Sequence, residues 1–544
     1  MQGLMQDWPL WVPSILEHAK VNHPDQVVVT RTVEGPIHRY SYGELYGRAK
    51  RCAKAVAKLG MREGDVVATL AWNTYRHMEA WYGIMGIGAV CHTLNPRLFP
   101  DQLAYIATHA EDKVLFTDLT FMPLAEMLQA RCPSIEHVIV MTDREHMPAT
   151  TKLKDPICYE ELLAGVDENF AWVKVDENAA CGMCYTSGTT GNPKGVVYSH
   201  RSNVLHALMA NGGDSLALKS TDSILPVVPM FHANAWALAF VGPMAGAKLV
   251  MPGARMDGQS IHQLLEEERV TFTAAVPTVW LALLQYLEAE KKKLTTLKRV
   301  IIGGSAVPRT ILERFERDFG VEVFHGWGMT EMSPLGTVST FKPGMDLLSY
   351  EERIQLKLKQ GRTPYMVEMK VIDDAGKELP HDGKSFGHLV VRGPAIAKGY
   401  FKGEGGKILD ADGWFDTGDV ATIDQHAFMQ ITDRAKDVIK SGGEWISSIE
   451  IENIAVGHPD VAEAAVIGIV HPKWDERPLL IVVRKPGSAV TGEAILDYLQ
   501  GKIAKWWMPD DVVFVDEIPH TATGKIQKRD LRDKFAGHVL PTAR

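Results

Sequence analysis

Residues 185–195, Tyr-Thr-Ser-Gly-Thr-Thr-Gly-Asn-Pro-Lys-Gly, combine hydroxyls, glycines and one lysine in a way that suits phosphate. Glycine opens backbone conformations closed to other residues, so Gly188 and Gly191 can turn successive N–H groups toward one concavity. Thr186, Ser187, Thr189 and Thr190 add hydroxyl donors, and Lys194 adds a mobile point charge better matched to phosphate than to a planar carboxylate. A Gly/Ser/Thr surface loop would account for the composition, but not for the lysine or for the apolar run at 180–184 leading into it. A Walker loop is excluded: Gly383-Lys384-Ser385 comes closest, and the residue five before its glycine is Glu378.

Four further motifs follow in order: His325-Gly326-Trp327-Gly328-Met329-Thr330-Glu331; Trp414-Phe415-Asp416-Thr417-Gly418-Asp419; Asp433-Arg434-Ala435-Lys436-Asp437-Val438-Ile439-Lys440, running on to Ser441-Gly442-Gly443-Glu444-Trp445; and Thr523-Gly524-Lys525. With the loop they resemble, in type and order, the motifs of the AMP-forming acyl-CoA synthetases. That family shares the adenylate-forming superfamily with beetle luciferases and peptide-synthetase adenylation domains. The resemblance is nearest to bacterial medium- and long-chain fatty acyl-CoA ligases and 3-(methylthio)propanoyl-CoA ligases.

The resemblance implies a ligase with ATP, Mg²⁺ and coenzyme A as cofactors and co-substrates. A carboxylate attacks the α-phosphorus of ATP, and the CoA thiol then attacks the acyl adenylate. Under it, Thr186, Ser187, Gly188, Thr189, Thr190, Gly191 and Lys194 hold phosphates, and Glu331 with Thr186 ligates Mg²⁺. Thr330 reaches the α-phosphate. Gly304-Ser305-Ala306 and His325-Gly326-Trp327, continued by Gly328 and Met329, flank the adenine, although many relatives carry tyrosine where Trp327 stands. Asp419 takes the ribose diol with Arg434 beside it, and Lys440 and Trp445 complete the nucleotide side. Lys525 bridges carboxylate and α-phosphate, cancelling charge that opposes their approach. Lys436 occupies the hinge about which the small domain turns between the two half-reactions.

The acid pocket is expected along Met230-Phe231-His232-Ala233-Asn234-Ala235-Trp236, with Val276 and Gly303-Gly304 opposite. His232 is not needed as a base, because the substrate is already a carboxylate at neutral pH; an orienting role fits it. Trp236 and Trp445 resemble the tryptophans that gate the acyl tunnel of the fatty acyl-CoA branch. This wall offers no cation for a second carboxylate, so an apolar monocarboxylate, in first place a fatty acid, is expected. Short thioether or aryl acids such as 3-(methylthio)propanoate are the alternative. A luciferase-like oxygenase and a non-catalytic nucleotide-binding scaffold are readings of other classes; the intact Lys194, Glu331, Asp419 and Lys525 argue against the scaffold. No carrier domain follows Lys525, which disfavours a peptide-synthetase module.

The elements that must position these residues read as α/β. Apolar residues recur at helical spacing over 11–60, and buried strands are expected at 65–70, 89–93, 113–117, 137–141, 248–251, 272–276 and 299–302, with helices between most of them. Such alternation predicts mixed or parallel sheets with flanking helices. Short strands at 367–372, 388–392 and 429–431 predict a small antiparallel β unit, and the remainder a small mobile α+β domain. The expected division is an N-terminal domain over 1–433, a hinge at 434–438 and a C-terminal domain over 439–544.

The 544 residues, 46% hydrophobic and 23% charged, belong to the ordinary globular class. A net charge of −9 disfavours a nucleic-acid partner. Cys181 and Cys184 have metal-type spacing, but no second pair lies near them, so buried thiols are expected. The most apolar region, 224–251, is broken by Pro226, Pro229, His232, Asn234, Pro243 and Lys248, so no membrane span is expected. The N-terminus has no signal-peptide pattern. A cytoplasmic enzyme acting on a small carboxylate and CoA is the resulting expectation, with a homodimer left open.

Overall fold

The stretch Val66–Leu70 is apolar on both sides of the strand, and a strand buried on both faces is what it forms. In the computed structural model, which describes residues 1, 3–186, 192–442, 444–520 and 526–543 (444 and 445 by their backbone), it is the centre of a seven-stranded sheet. Val90–Thr93 and Val114–Thr117 flank it in parallel, every residue buried. Ala180–Tyr185 runs parallel to Val90–Thr93, and Gly195–Ser199 closes that edge in antiparallel register.

By contact density the chain divides into two units, Met1–Glu368 with Arg392–Gly413, and Met369–Val391 with Trp414–Arg544. The first holds the seven-stranded sheet and an eight-stranded one in the order Leu335–Val338, Glu322–Gly328, Arg299–Ile302, Phe272–Ala275, Ser223–Pro226, Lys248–Met251, Val27–Arg31, Ile37–Ser41. Its inner strands are parallel, with helices such as Gly258–Glu267 and Pro277–Ala289 between them. One core beneath gathers Trp81, Tyr82 and Phe240; another gathers Trp280, Phe315 and Leu264.

The strands expected in this unit lie within a residue or two of those found. The 11–60 segment is different. Helical spacing holds only over Val12–Asn22 and Tyr42–Lys58; between them Val27–Arg31 and Ile37–Ser41 form a hairpin. Val-Val-Val-Thr is a β-branched run, and Val27–Arg31 pairs in parallel with Lys248–Met251, a long-range contact that overrides the local period.

In the second unit Glu368–Ile372, Phe386–Arg392, Phe415–Ile423 and Met429–Arg434 form a four-stranded sheet, the small β unit expected. A five-stranded sheet follows, in which Val461–His471 and Asp475–Arg484 pair along their length beneath the helices Ser448–Val456 and Gly492–Leu499. Its α+β character is that read from the sequence. Among the described residues no helix is long and apolar enough to cross a membrane. All six cysteines are free and buried.

Candidate active site

The candidate phosphate loop connects the two paired strands of a β-hairpin. Tyr185 stands opposite Gly195 in the register, the Thr186 N–H donates to the Lys194 carbonyl (2.9 Å), and the Lys194 N–H donates to Thr186 Oγ1 (3.2 Å). Thr186 and Lys194 therefore close the base of the loop. Ser187, Gly188, Thr189, Thr190 and Gly191 lie outside the described residues. Behind the base, the Tyr185 hydroxyl meets His109 Nδ1 at 2.7 Å.

Glu331 sits in a single 3₁₀ turn, Thr330–Met332, that leaves the Glu322–Gly328 strand. Three bonds fix this turn: Tyr198 Oη donates to the Thr330 carbonyl (2.7 Å), the Ala397 N–H to the Glu331 carbonyl (2.8 Å), and Ser333 Oγ to the Ala395 carbonyl (2.8 Å). The Glu331 side chain is buried and accepts a hydrogen bond from Tyr400 Oη at 2.7 Å. Lys194 Nζ lies 4.9 Å from the centroid of the same Tyr400 ring. Tyr400 thus stands between the loop's lysine and the candidate metal carboxylate. Burial and the Glu331 charge push its phenol well above the ordinary tyrosine range, so it stays a donor.

His325, Gly326 and Trp327 occupy the strand before that turn. His325 is buried, with Nδ1 3.0 Å from the Leu358 carbonyl, and burial pushes its pKa down to about 4, so the ring is neutral. Trp327 is buried with its ring over Gly336, while Gly328 and Met329 are half-buried. Gly304 and Ser305 are exposed after the Arg299–Ile302 strand and Ala306 is half-buried.

Four of the residues expected along the acid pocket, Trp236, Val276, Gly303 and Gly304, come together. A methyl group on Gly303 would lie 2.7 Å from the Gly326 carbonyl oxygen and 3.2 Å from the Trp236 indole; one on Gly304 would meet Val276 Cγ1 at 3.0 Å. Gly304 also has φ +82°, which favours glycine. Trp236 and His232 are half-buried. Between and beyond them, Ala233, Asn234, Ala235, Trp236 and Ala237 all have positive φ, from 42° to 67°. Left-handed backbone costs an L-residue roughly 1–2 kcal/mol, so five in a row need support from their surroundings. Asn203 provides some, accepting from Asn234 Nδ2 at 3.3 Å. Upstream, Asn73 accepts from the Met230 N–H (2.7 Å) and donates to the carbonyls of Pro226 and Val228 (both 2.8 Å), fixing the approach to His232.

In the second unit Asp419 and Arg434 are directly paired strand neighbours, and Arg434 Nε lies 2.9 Å from the buried Asp419 carboxylate. The chain then tightens: the Asp437 and Val438 N–H groups both donate to the Arg434 carbonyl, and Arg532 pairs with Asp437 at 2.7 Å. Lys436 is exposed at this turn; partial desolvation and the neighbouring arginines hold its ammonium below the usual lysine range despite Asp437. Lys440 is exposed, and its N–H donates to Glu476. Lys525 and the Trp445 side chain lie outside the described residues.

Sequence reasoning missed Tyr400, Tyr198 and Asn73. No spacing links them to the motifs; the only local cue is the Gly399-Tyr400 step in a glycine-rich stretch.

The AMP-binding enzyme model matches residues 16–401, and the AMP-binding enzyme C-terminal domain model matches 450–525. The chain is 46% identical to the 3-methylmercaptopropionyl-CoA ligase of Ruegeria lacuscaerulensis, over 98% of this chain and 99% of that one. It is equally 46% identical to the medium-chain-fatty-acid–CoA ligase of Ectopseudomonas oleovorans, over 99% and 98%. Among solved structures, ATP-bound MatB from Rhodopseudomonas palustris superposes with a TM-score of 0.82 at 25% identity, covering 97% of this chain and 99% of that one. The chain belongs to the AMP-binding enzyme family.

Proposed function

We propose that this enzyme is an ATP-dependent acid–thiol ligase that converts an apolar monocarboxylate, in first place a fatty acid, to its acyl-CoA through an acyl adenylate, releasing AMP and pyrophosphate. The meeting of Lys194 and Glu331 at Tyr400 carries the reading, and the packing of Trp236 against Gly303 and of Val276 against Gly304 supports it. The Ruegeria lacuscaerulensis and Ectopseudomonas oleovorans relatives both bear CoA-ligase names, which supports the same activity. One of them is named for 3-methylmercaptopropionate, so that short thioether acid is the second reading.

In this reading Thr186, Lys194 and the intervening hydroxyls and backbone of 187–191 hold the phosphates of ATP. Glu331 is a buried carboxylate with no ion pair among the described residues, and Thr186 offers a hydroxyl; hard oxygen donors of this kind fit Mg²⁺. Those two residues would hold the ion, which supplies neutralising charge to the phosphates. Asp419 and Arg434 take the ribose. Lys525 lowers the repulsion between carboxylate and α-phosphate in the first half-reaction. Trp236 and Val276 wall the acyl tail, and His232 orients the carboxylate. The chain works as 1–433 and 439–544 turning about 434–438, with Lys436 as pivot, so that one cleft serves adenylation and then thiol attack. A cytoplasmic site of action and a homodimer are compatible with it.

The test is a panel of C2 to C18 fatty acids, 3-(methylthio)propanoate and aryl acids, scored by AMP release with and without CoA. A fatty acid should give the highest kcat/KM, with AMP release dependent on both acid and CoA. A thioether acid surpassing every fatty acid would replace the first reading by the second, and no AMP from any acid would overturn both.

A further inference from the structure

The half-buried Tyr400 donates its hydroxyl to Glu331 Oε1, and Lys194 Nζ lies over its ring. The tyrosine is itself held in place. Its ring packs on Cys184, Val196 and Tyr198, the two strands that carry the phosphate loop, and Tyr198 in turn fixes the turn bearing Glu331. The segment just beyond it is tied to the loop's foot: Tyr105 donates to Glu404 at 3.1 Å, His109 lies 3.6 Å from Glu404, and the same His109 meets Tyr185. Gly405, with φ +74°, passes so near Lys194 that a methyl group there would lie 2.9 Å from Nζ.

We infer that Tyr400 is a positioning residue for nucleotide binding: its hydroxyl orients the Glu331 carboxylate toward Mg²⁺, and its ring parks Lys194 until phosphate draws the lysine away. The inference rests on the reading of Glu331 and Lys194 given above. The two functions are carried by different parts of one side chain, so two substitutions separate them. Tyr400→Phe keeps the ring and loses only the hydrogen bond to the carboxylate. Tyr400→Leu loses both.

The measurement is calorimetric binding of α,β-methylene-ATP, titrated at increasing Mg²⁺ and repeated in EDTA, with melting temperatures of each variant. Tyr400→Phe should raise the half-saturating Mg²⁺ about tenfold, the size of one hydrogen bond to a charged group, and leave binding in EDTA unchanged. Tyr400→Leu should show the same loss with Mg²⁺ but bind the analogue about threefold more tightly in EDTA, because Lys194 no longer leaves a ring to reach phosphate. A purely packing role would lower the melting temperature of the leucine variant and move neither dependence on Mg²⁺. If Glu331→Gln abolishes the Mg²⁺ dependence while Tyr400→Phe leaves it at the parent value, the positioning role is wrong. If Glu331→Gln also leaves it unchanged, the assignment of Glu331 beneath it fails instead.

Discussion

Arg434 Nε lies 2.9 Å from the Asp419 carboxylate, across a strand pair in which the two residues are direct partners. The aspartate is buried and the arginine, 40% exposed, is the first residue of the proposed hinge. A group assigned to the ribose and the start of the pivot are therefore one ion pair.

Asp419→Asn keeps the shape and removes the charge. Hydrogen bonds to a charged acceptor are worth about 1.5–3 kcal/mol, so KM for ATP should rise about 10- to 100-fold, with KM for the acid unchanged. Steady-state kinetics with each substrate varied in turn checks it; a rise confined to the acid would count against the ribose assignment.

Lys525→Ala should cut adenylate formation about 10²- to 10³-fold, the usual loss for a transition-state charge contact, while CoA transfer from a supplied acyl adenylate persists. Equal losses in the two half-reactions would remove the role given to this lysine.

Lys436→Pro should do the reverse. Proline fixes φ and removes a donor at the turn that Asp437 and Val438 close on the Arg434 carbonyl. Pyrophosphate exchange should survive and thioester formation collapse. A variant with both rates near the parent would show the pivot to lie elsewhere.

Much of this was legible in the sequence, and the parts that were not share a cause. Strands such as Lys248–Met251 and Arg299–Ile302 are short apolar runs between turn residues, and they lie where the pattern put them. The Val27–Arg31 strand is fixed by pairing with a strand far along the chain, which no local period reports. The left-handed turn at 233–237 contains no glycine, so nothing in its composition announces positive φ. Tyr400 meets Glu331 across 69 residues of sequence, and only the folded hairpin brings Lys194 to it. Motifs reveal residues that touch a ligand in a fixed local frame; groups that hold those residues from elsewhere are visible only in three dimensions.

Trp236→Ala should shift the preferred acid toward longer or bulkier tails. The indole abuts Gly303 and Gly304, so its removal opens the wall there. Each methylene of altered contact is worth roughly 0.8 kcal/mol, so neighbouring chain lengths should change about fourfold in relative kcat/KM. A variant that melts near the parent temperature with an unchanged length profile would mean that Trp236 is core alone.

Asp118 gives a pH signature. Burial pushes its pKa up to about 7 from 3.8, although it accepts from the Trp72 N–H at 2.7 Å. A folded-state pKa above the unfolded one favours the protonated native state, so this stabilisation is complete below about 4 and is lost as pH rises through about 7. Asp118→Asn can keep the Trp72 bond without the titration. Its stability relative to the parent should climb between pH 4 and 7, by an amount on the order of a few kcal/mol, and then level off. Denaturant melts of both proteins across that range measure it, and a flat difference would refute the assignment.

The six buried cysteines have a consequence for a reaction that makes an activated acyl group beside a thiol substrate. An acyl adenylate is captured by whichever sulfur is both ionised and within reach. Burial pushes the thiols of Cys52 and Cys181 up to about 12 and raises those of Cys91, Cys132 and Cys184, the last on the strand that enters the candidate phosphate loop. These sulfurs are kept as thiols and out of solvent. These five thiols are thereby weak rivals to the incoming coenzyme for the activated acyl group.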